Sequence, residues 1–482
     1  MPRFAAICAS LLCACSFPGA PTLLPPPFGP DPAKPEAARL FFPTGIAIDP
    51  PATDPAAGPA RWLVVSNSNA DRLYDAGAMY SLPAAELLQY FRPLPPGTPA
   101  PTPPFPAAAV VGKVITGNYT GPLILAGGTA FTGSRDTNRL NAVALNPATG
   151  ALTCLGAAGS QDCRGDSIDL NNAAQVEGPF GIVTGRIHPP GFPGDVNAVI
   201  VSALVPHIDS VQSGVVFSSS HLAALDQANP TAVPFFSATV TDRLSGSGVG
   251  AGPMVFDDRQ REVILSGCYT RFGSASAGGE PSTLKCGSAA GGANLLRFVP
   301  MDAGSSAIAR LYDLGPQIHS VDTTGLALGG VDAVTGLRRL YMTTRFPDTV
   351  VRVALAANPA FAPVVEAVTT VSSQPSQILL LQRPGGASGP DLLAVTGVAT
   401  YETSTAAGKL LLIDGMLGTV VGQVDAIGDT PFALAQFPPQ LGDRSARLAV
   451  TAFGGCGISL IDVPYDQPVA AALRATIGSC PQ

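Results

Sequence analysis

Tryptophan is almost missing from this 482-residue chain, which holds one, Trp62. Histidine is nearly as rare, with four, and charged residues make up only 13%. Lys is scarce beside Arg and no basic stripe runs through the sequence, so the electrostatic footprint of a nucleic-acid binder is missing. The formal net charge of −7 at pH 7 reads as ordinary solubility. The apolar run Phe4 to Leu12 is too short to cross a bilayer as a helix. Patterns of salt-bridged helices are also poor.

What is abundant is apolar surface, 46% of residues, together with 53 Gly and 48 Pro. Turn-formers at that density between short apolar runs point to many short strands. Length alone would suggest about three domains at ~150 residues each, but closed all-β architectures run longer as one unit.

The first residues carry a pattern of their own. Arg3 supplies the positive start, the apolar run follows, and Leu12-Cys13-Ala14-Cys15-Ser16 looks like a lipobox. The resemblance implies that residues 1–14 are a signal peptide and that Cys15 is acylated. Ser16, where an Asp would signal retention, resembles lipoproteins delivered to the outer membrane. One acyl chain anchors only marginally, and the several chains of this class would hold firmly. Residues 15–40 are Pro-rich and are expected to be an extended, semi-rigid tether. Residues 41–482 form the body.

Six further cysteines remain: Cys154, Cys163, Cys268, Cys286, Cys456 and Cys480. An even set in an exported chain suggests three disulfides, although many pairings are open. Proximity favours 154–163 and 268–286, leaving 456–480. Metal ligation is the rival reading, and neither Cys-x-x-Cys pairs nor clustered His support it.

The body repeats weakly. A proline followed by an apolar run recurs at Pro43, Pro122, Pro179, Pro253, Pro316, Pro375 and Pro431, with Pro122 and Pro316 fitting least well. Each is followed by an apolar run ending in a hydroxyl: Ser66, Ser134, Ser202, Ser266, Thr343, Thr396 and Thr451. A third strand-like run follows in every unit, and a fourth closes most of them. A lone four-stranded sheet cannot bury both faces, whereas sheets packed around an axis can. The fold class is therefore all-β, a seven-bladed β-propeller of four-stranded antiparallel blades. In this layout Cys456 and Cys480 fall on one face of the last blade, and Cys268 and Cys286 staple one long loop. Only Ala84 to Tyr90 and Pro468 to Arg474 look briefly helical.

The last two units carry a family resemblance. Ala449-Val450-Thr451 with Leu460-Ile461-Asp462, and Leu412-Ile413-Asp414 before them, resemble the YVTN repeat of YncE-like propellers. Those motifs are structural and imply fold far more than activity.

No Gly-x-Ser-x-Gly nucleophile elbow occurs, and no cofactor or metal is expected. A metal-assisted lactonase would need Asn67, Asn69, Asp71, Asp136 and Asp348 to converge; as turn caps these residue types are commonplace. A quinone-dependent dehydrogenase subunit would lean on repeated Trp. The strand-end hydroxyls could instead ring one channel mouth. Candidate binding residues there are Ser66, Asn67, Ser134, Arg135, Asp136, His207, Thr343 and Arg345, with the two arginines suited to an anion. The favoured expectation is a non-enzymatic binding or scaffolding module at the outer membrane. Its partners would be the membrane, through the lipid, and an envelope protein, peptide or glycan. The alternative is a propeller enzyme.

Overall fold

The computed structural model describes residues 23–480, apart from 30–36, 55, 57, 72, 96, 157–158, 206, 213–214, 231–233, 235, 241–251, 267–293, 303–309, 321, 387–388 and 399–407. Cys15 and the Cys268/Cys286 pair lie outside the described residues.

Seven antiparallel sheets follow one another along the chain, each a meander in strand order. Blade 1 comprises Pro43–Asp49, Trp62–Asn67, Gly77–Pro83 and Gly112–Thr116. Blade 2 comprises Thr120–Ala126, Thr129–Ser134, Arg139–Leu145 and Leu152–Cys154, with the short strand Ile168–Asp169 also beside the third. Blade 3 comprises Glu177–Ile187, Val196–Val205, Val215–Asp226 and Phe236–Val240, and His207–Gln212 hairpins onto its third strand. Blade 4 comprises Met254–Asp257, Glu262–Ser266, Leu295–Pro300 and Arg310–Asp313. Blade 5 comprises Asp322–Val331, Arg338–Arg345, Thr349–Leu355 and Val364–Thr370. Blade 6 comprises Gln374–Leu380, Leu392–Val398, Lys409–Asp414 and Thr419–Val424. Blade 7 comprises Pro431–Gln436, Ser445–Ala452, Gly457–Pro464 and Ala472–Ile477.

The first strand of each blade is innermost, and each touches the first strand of the next until blade 7 meets blade 1. Second and third strands read BBBBB with little alternation because both faces are covered by neighbouring sheets. The tight turns have a recurring chemistry. Asn146, Asp332 and Asp414 each accept hydrogen bonds from the second and third amides after them, and Gly150, Gly336 and Gly418 close these turns at positive φ. A type I turn ending in a left-handed residue needs that glycine.

Among the described residues no strand is exchanged between the first and last blades where the ring closes. One apolar cluster instead joins Leu63, Tyr80 and Leu82 of blade 1 to Ala449, Leu460 and Ile477 of blade 7, with Leu40 and Phe41 wedged beside them. Burying side chains of this size contributes roughly 1.5–3 kcal/mol apiece. The Pro-rich stretch Arg92 to Pro106 connects the third and fourth strands of blade 1 and runs along the outer strand of blade 7. There Thr476 donates to the Pro101 carbonyl at 3.0 Å and Gly478 to the Pro103 carbonyl at 2.9 Å. Cys456 and Cys480 are disulfide-bonded, as are Cys154 and Cys163.

Two expectations need correction, and the stretch expected to be an extended, semi-rigid tether is docked where it is described: Pro25 to Pro27 are buried, Tyr80 donates its hydroxyl to the Pro26 carbonyl, and Asp75 donates its amide to the Leu23 carbonyl at 2.8 Å. The Pro26 carbonyl belongs to the amide with Pro27, which has no N–H of its own. Pro316 does not begin an inner strand but sits in the short helix Gly315–Ile318, where proline is tolerated in the first turn. Arg474 is in a strand, and helical turns also occur at Leu170–Ala174.

Candidate functional site

Inner strands begin, and second strands end, at the same end of each blade, because Pro43 faces Asn67 and Pro431 faces Ala452. This end is called the front face. It carries the second-to-third loops, as expected.

The seven strand-end hydroxyls lie at this end, and all seven residues are fully buried. Six inner strands bulge near their start, setting two residues against one on the second strand. The single residue opposite is Ser66, Gly133, Ser202, Thr343, Thr396 or Thr451 in blades 1, 2, 3, 5, 6 and 7. A bulge leaves backbone groups unpaired, and a small hydroxyl answers them: Ala433 donates to Thr451 Oγ1 at 2.9 Å and Gln377 to Thr396 Oγ1 at 3.1 Å. Hydroxyls here also latch blades together. Thr44 bonds Thr120 at 3.0 Å, Ser202 the Gly252 carbonyl at 3.1 Å, and Ser266 bonds Thr323 at 2.9 Å. Thr324 bonds the Pro375 carbonyl at 2.8 Å and Ser376 the Pro431 carbonyl at 2.9 Å. The recurring hydroxyl is thus a fastener of bulges and seams.

The other expected residues are scattered. Arg345 donates to the Pro375 carbonyl at 3.1 Å, and Arg135 donates to the Tyr119 carbonyl at 3.3 Å while lying 5.8 Å from the Phe180 ring. Asn67 accepts from the Phe41 amide at 3.0 Å, and Asn69 bridges Tyr74 and Asn118. Asp71 caps the Leu73 amide. Burial pushes the Asp348 carboxyl up. His207 Nδ1 lies 2.9 Å from Glu177 Oε1, with the His221 ring edge-on at 6.0 Å; the hairpin of blade 3 creates this proximity. Among the described residues no three His, Cys, Asp or Glu side chains converge as metal ligands.

A cleft of about 270 Å³ opens on the front face between blades 1 and 2. Asp136 is the one expected binding residue that lines it; Asp75, Asn118, Arg139, Asn141 and Arg164 line it too. Arg164 sits in the segment after blade 2, next to the Cys154–Cys163 staple. It grips Asp162 through Nε at 2.9 Å and Nη2 at 2.7 Å, and reaches Asp75 of blade 1 through Nη1 at 2.7 Å. That fork holds the Asp162 carboxyl below its ordinary 3.8. Arg139 donates to the carbonyls of Arg164 and Ser167 at 3.2 and 3.1 Å. Asn141, 1% exposed, donates to the Thr132 carbonyl at 3.2 Å and to Ser134 Oγ at 2.7 Å. Its Oδ1 is buried with no partner among the described residues.

Three bulky aromatics near this face hold left-handed backbone: Phe42, Tyr119 and Phe346, with φ of 50°, 49° and 58°. Such residues are outliers there. Phe346 is also 70% exposed.

A larger cleft, about 430 Å³, lies at the back between blades 6 and 7, beside Arg383 and Tyr465. Its groups answer one another. Tyr341 donates to Asp391 at 2.6 Å, Tyr465 to the Gln382 carbonyl at 2.7 Å, and Arg383 lies 5.2 Å from the Tyr465 ring.

The fold and these sites define a seven-bladed β-propeller. Solved structures with similar architecture include hydrazine synthase from Kuenenia stuttgartiensis, at 10% identity and TM-score 0.49, covering 89% of this chain and 97% of that one. Sqt1 from Saccharomyces cerevisiae is similar at 9% identity and TM-score 0.47, covering 90% and 84%. A candidate 6-phosphogluconolactonase from Bacteroides uniformis is similar at 11% identity and TM-score 0.41, covering 80% and 85%. At these identities the likeness is one of fold alone. No protein-family model and no curated protein matches the chain.

Proposed function

We propose that this protein is an envelope lipoprotein whose propeller is a binding module that presents its front face to an envelope partner. The observation that carries the reading is Phe346, a bulky apolar ring kept exposed on strained left-handed backbone at the front of blade 5. Strain of that kind persists where the surrounding structure imposes it, and it gathers at functional sites. The stapled segment of blade 2 and the extra hairpin of blade 3 enlarge the same face.

Two disulfides fit an oxidising compartment, which agrees with a leader cleaved before Cys15 and an outer-membrane address. Kinship with YVTN-type propellers is part of the reading. Asp414, which ends one motif, caps the Met416 and Leu417 amides, and Asp462, which ends the other, pairs with Arg474 at 2.7 Å; both give the motif a structural rationale.

A photo-reactive phenylalanine at Phe346, compared with one at exposed Asp258 on the back, tests the face. In living cells the front probe should give a discrete envelope adduct and the back probe none; the reverse, or equal labelling, defeats the proposal. Radiolabelled palmitate should enter the wild type and not Cys15→Ser.

A further inference from the structure

We propose that the outer edge of blade 5 binds a proline-rich, extended segment of an envelope protein, laid alongside Val364–Thr370. This rests on the binding-module reading and names the chemistry of the partner.

The fourth strands of blades 5, 6 and 7 share one irregularity. Each bulges once against its third strand, at Glu366, Val421 and Arg474. A bulge bends and twists the strand that carries it, so the three edges have a like shape. Two of them are covered by prolines of this chain. Thr476 and Gly478 of blade 7 donate to the Pro101 and Pro103 carbonyls. On blade 6, a Cβ at Gly422 would stand 2.4 Å from the Pro468 carbonyl oxygen. Both covers belong to the connection between third and fourth strands of the following blade. Blade 6 makes that connection with the tight turn Asp414 to Gly418, which meets blade 5 at the Thr369 hydroxyl and the Arg352 guanidinium.

The register shows which groups of blade 5 stay open. Thr369 faces Val350 and Ile477 faces Ile458, and these in turn face the strand-end hydroxyls Thr343 and Thr451. Val368 and Thr370 therefore stand where Thr476 and Gly478 stand in blade 7. Val371 donates inward, to the Asp348 carbonyl at 3.0 Å, and antiparallel alternation turns the Thr370 and Val368 amides the other way. Among the described residues no strand lies beyond them and no carbonyl of another segment accepts from them. Val364 and Val368 are 59% and 43% exposed. Bare edges are ordinarily kept short or guarded by lysine or proline. Val364–Thr370 has no such guard and is the longest fourth strand among the described residues.

The covers on blades 6 and 7 indicate what fits. Proline supplies a carbonyl and no amide, which suits a row of amides donating outward. A proline-rich strand is extended before it docks, so ordering it costs little. Its rings can lie on Val364 and Val368. The front end of the edge adjoins the turn that carries Phe346, through the Val371–Asp348 bond, so a docked segment continues onto the exposed ring.

The test titrates the full-length protein with a labelled peptide of three tandem Ala-Pro-Thr-Pro-Pro units, the sequence of residues 100–104. Fluorescence anisotropy reads binding, and amide hydrogen exchange reads its place. The peptide should bind saturably and slow exchange at Val368 and Thr370. Val364→Lys and Val368→Lys should each weaken it at least tenfold with melting temperature unchanged, and Gln423→Lys on the outer strand of blade 6 should not. The proposal fails if the peptide does not bind, if both lysine variants of blade 5 bind it normally, or if protection appears on another blade. It also fails if a proline-free Val-Thr repeat binds as well, or if sedimentation shows a dimer that Val368→Lys disperses, since the occupant would then be a second copy. Cross-linking through Phe346 in cells uses no peptide, so the edge can fail while the module stands.

Discussion

The Thr476 amide donates to the Pro101 carbonyl, 3.0 Å away, so the last strand of the chain is edged by a loop from the first blade. As at the outer strand of blade 1, where Ile115 exchanges backbone hydrogen bonds with Gln161 and Cys163, the sheet does not end at its fourth strand. Together with Cys456–Cys480 and the wedge of Leu40 and Phe41, this pairing seals the ring where the chain starts and stops.

Cutting that seal should be costly. Cys480→Ser frees a 24-residue separation and should lower stability by about 3 kcal/mol, against somewhat less for the nine-residue Cys154–Cys163 loop. Denaturant melts under oxidising conditions measure both. Hydrogen exchange should rise first in Ala472–Ile477; a uniform rise over all blades would mean closure is not local.

The buried hydroxyls of the front face divide into two groups under mutation. Ser376→Ala strips a donor from the buried Pro431 carbonyl and a partner from Thr396, at an expected cost of about 1–3 kcal/mol. Among the described residues Ser66 Oγ has no partner, so Ser66→Ala should be close to neutral. If both variants melt alike, the latches are not what the hydroxyls are for.

The Asp162–Arg164 fork sets an acid limit on the cleft. Its carboxyl titrates below the ordinary 3.8 because Arg164 donates to it. A depressed acid stabilises the fold above its unfolded value, and the contribution disappears as pH falls through the folded value. The pair is half exposed, so the amount is small, about 0–1 kcal/mol. Carbon-detected NMR titration should place the Asp162 midpoint under 3.8 and return it toward 3.8 in Arg164→Met. An unmoved midpoint would discard the fork.

Phe346→Asn should stabilise the fold by about 1 kcal/mol, since Asn tolerates left-handed backbone and Phe does not. Thermal melts check this. The same variant should weaken front-face partner capture, and a variant that gains stability with capture intact would leave the exposed ring without a role.

The blades were legible because each strand advertises itself locally. Leu410 to Ile413 and Val263 to Leu265 are apolar on consecutive positions, which only a sheet covered on both sides accommodates. The Asp332-Ala333-Val334-Thr335-Gly336 turn was equally readable, as a carboxylate cap followed by a left-handed glycine. Blade 2 hid its outer strand, Leu152–Cys154, because three residues carry no period. Asn141 left one clue, a lone amide inside the apolar run Leu140 to Leu145. Nothing in that run reveals which acceptor stays unmet.

The sequence by itself determined the number of blades, their strand order and the turn chemistry, because period and turn preference act over a few neighbouring residues. Tertiary structure alone decided that the hydroxyls face bulges, that Pro25 to Pro27 dock on blade 1, and that Arg164 reaches Asp75. Each of those depends on which blades meet and at what register, and a contact across 89 residues of chain leaves no local trace.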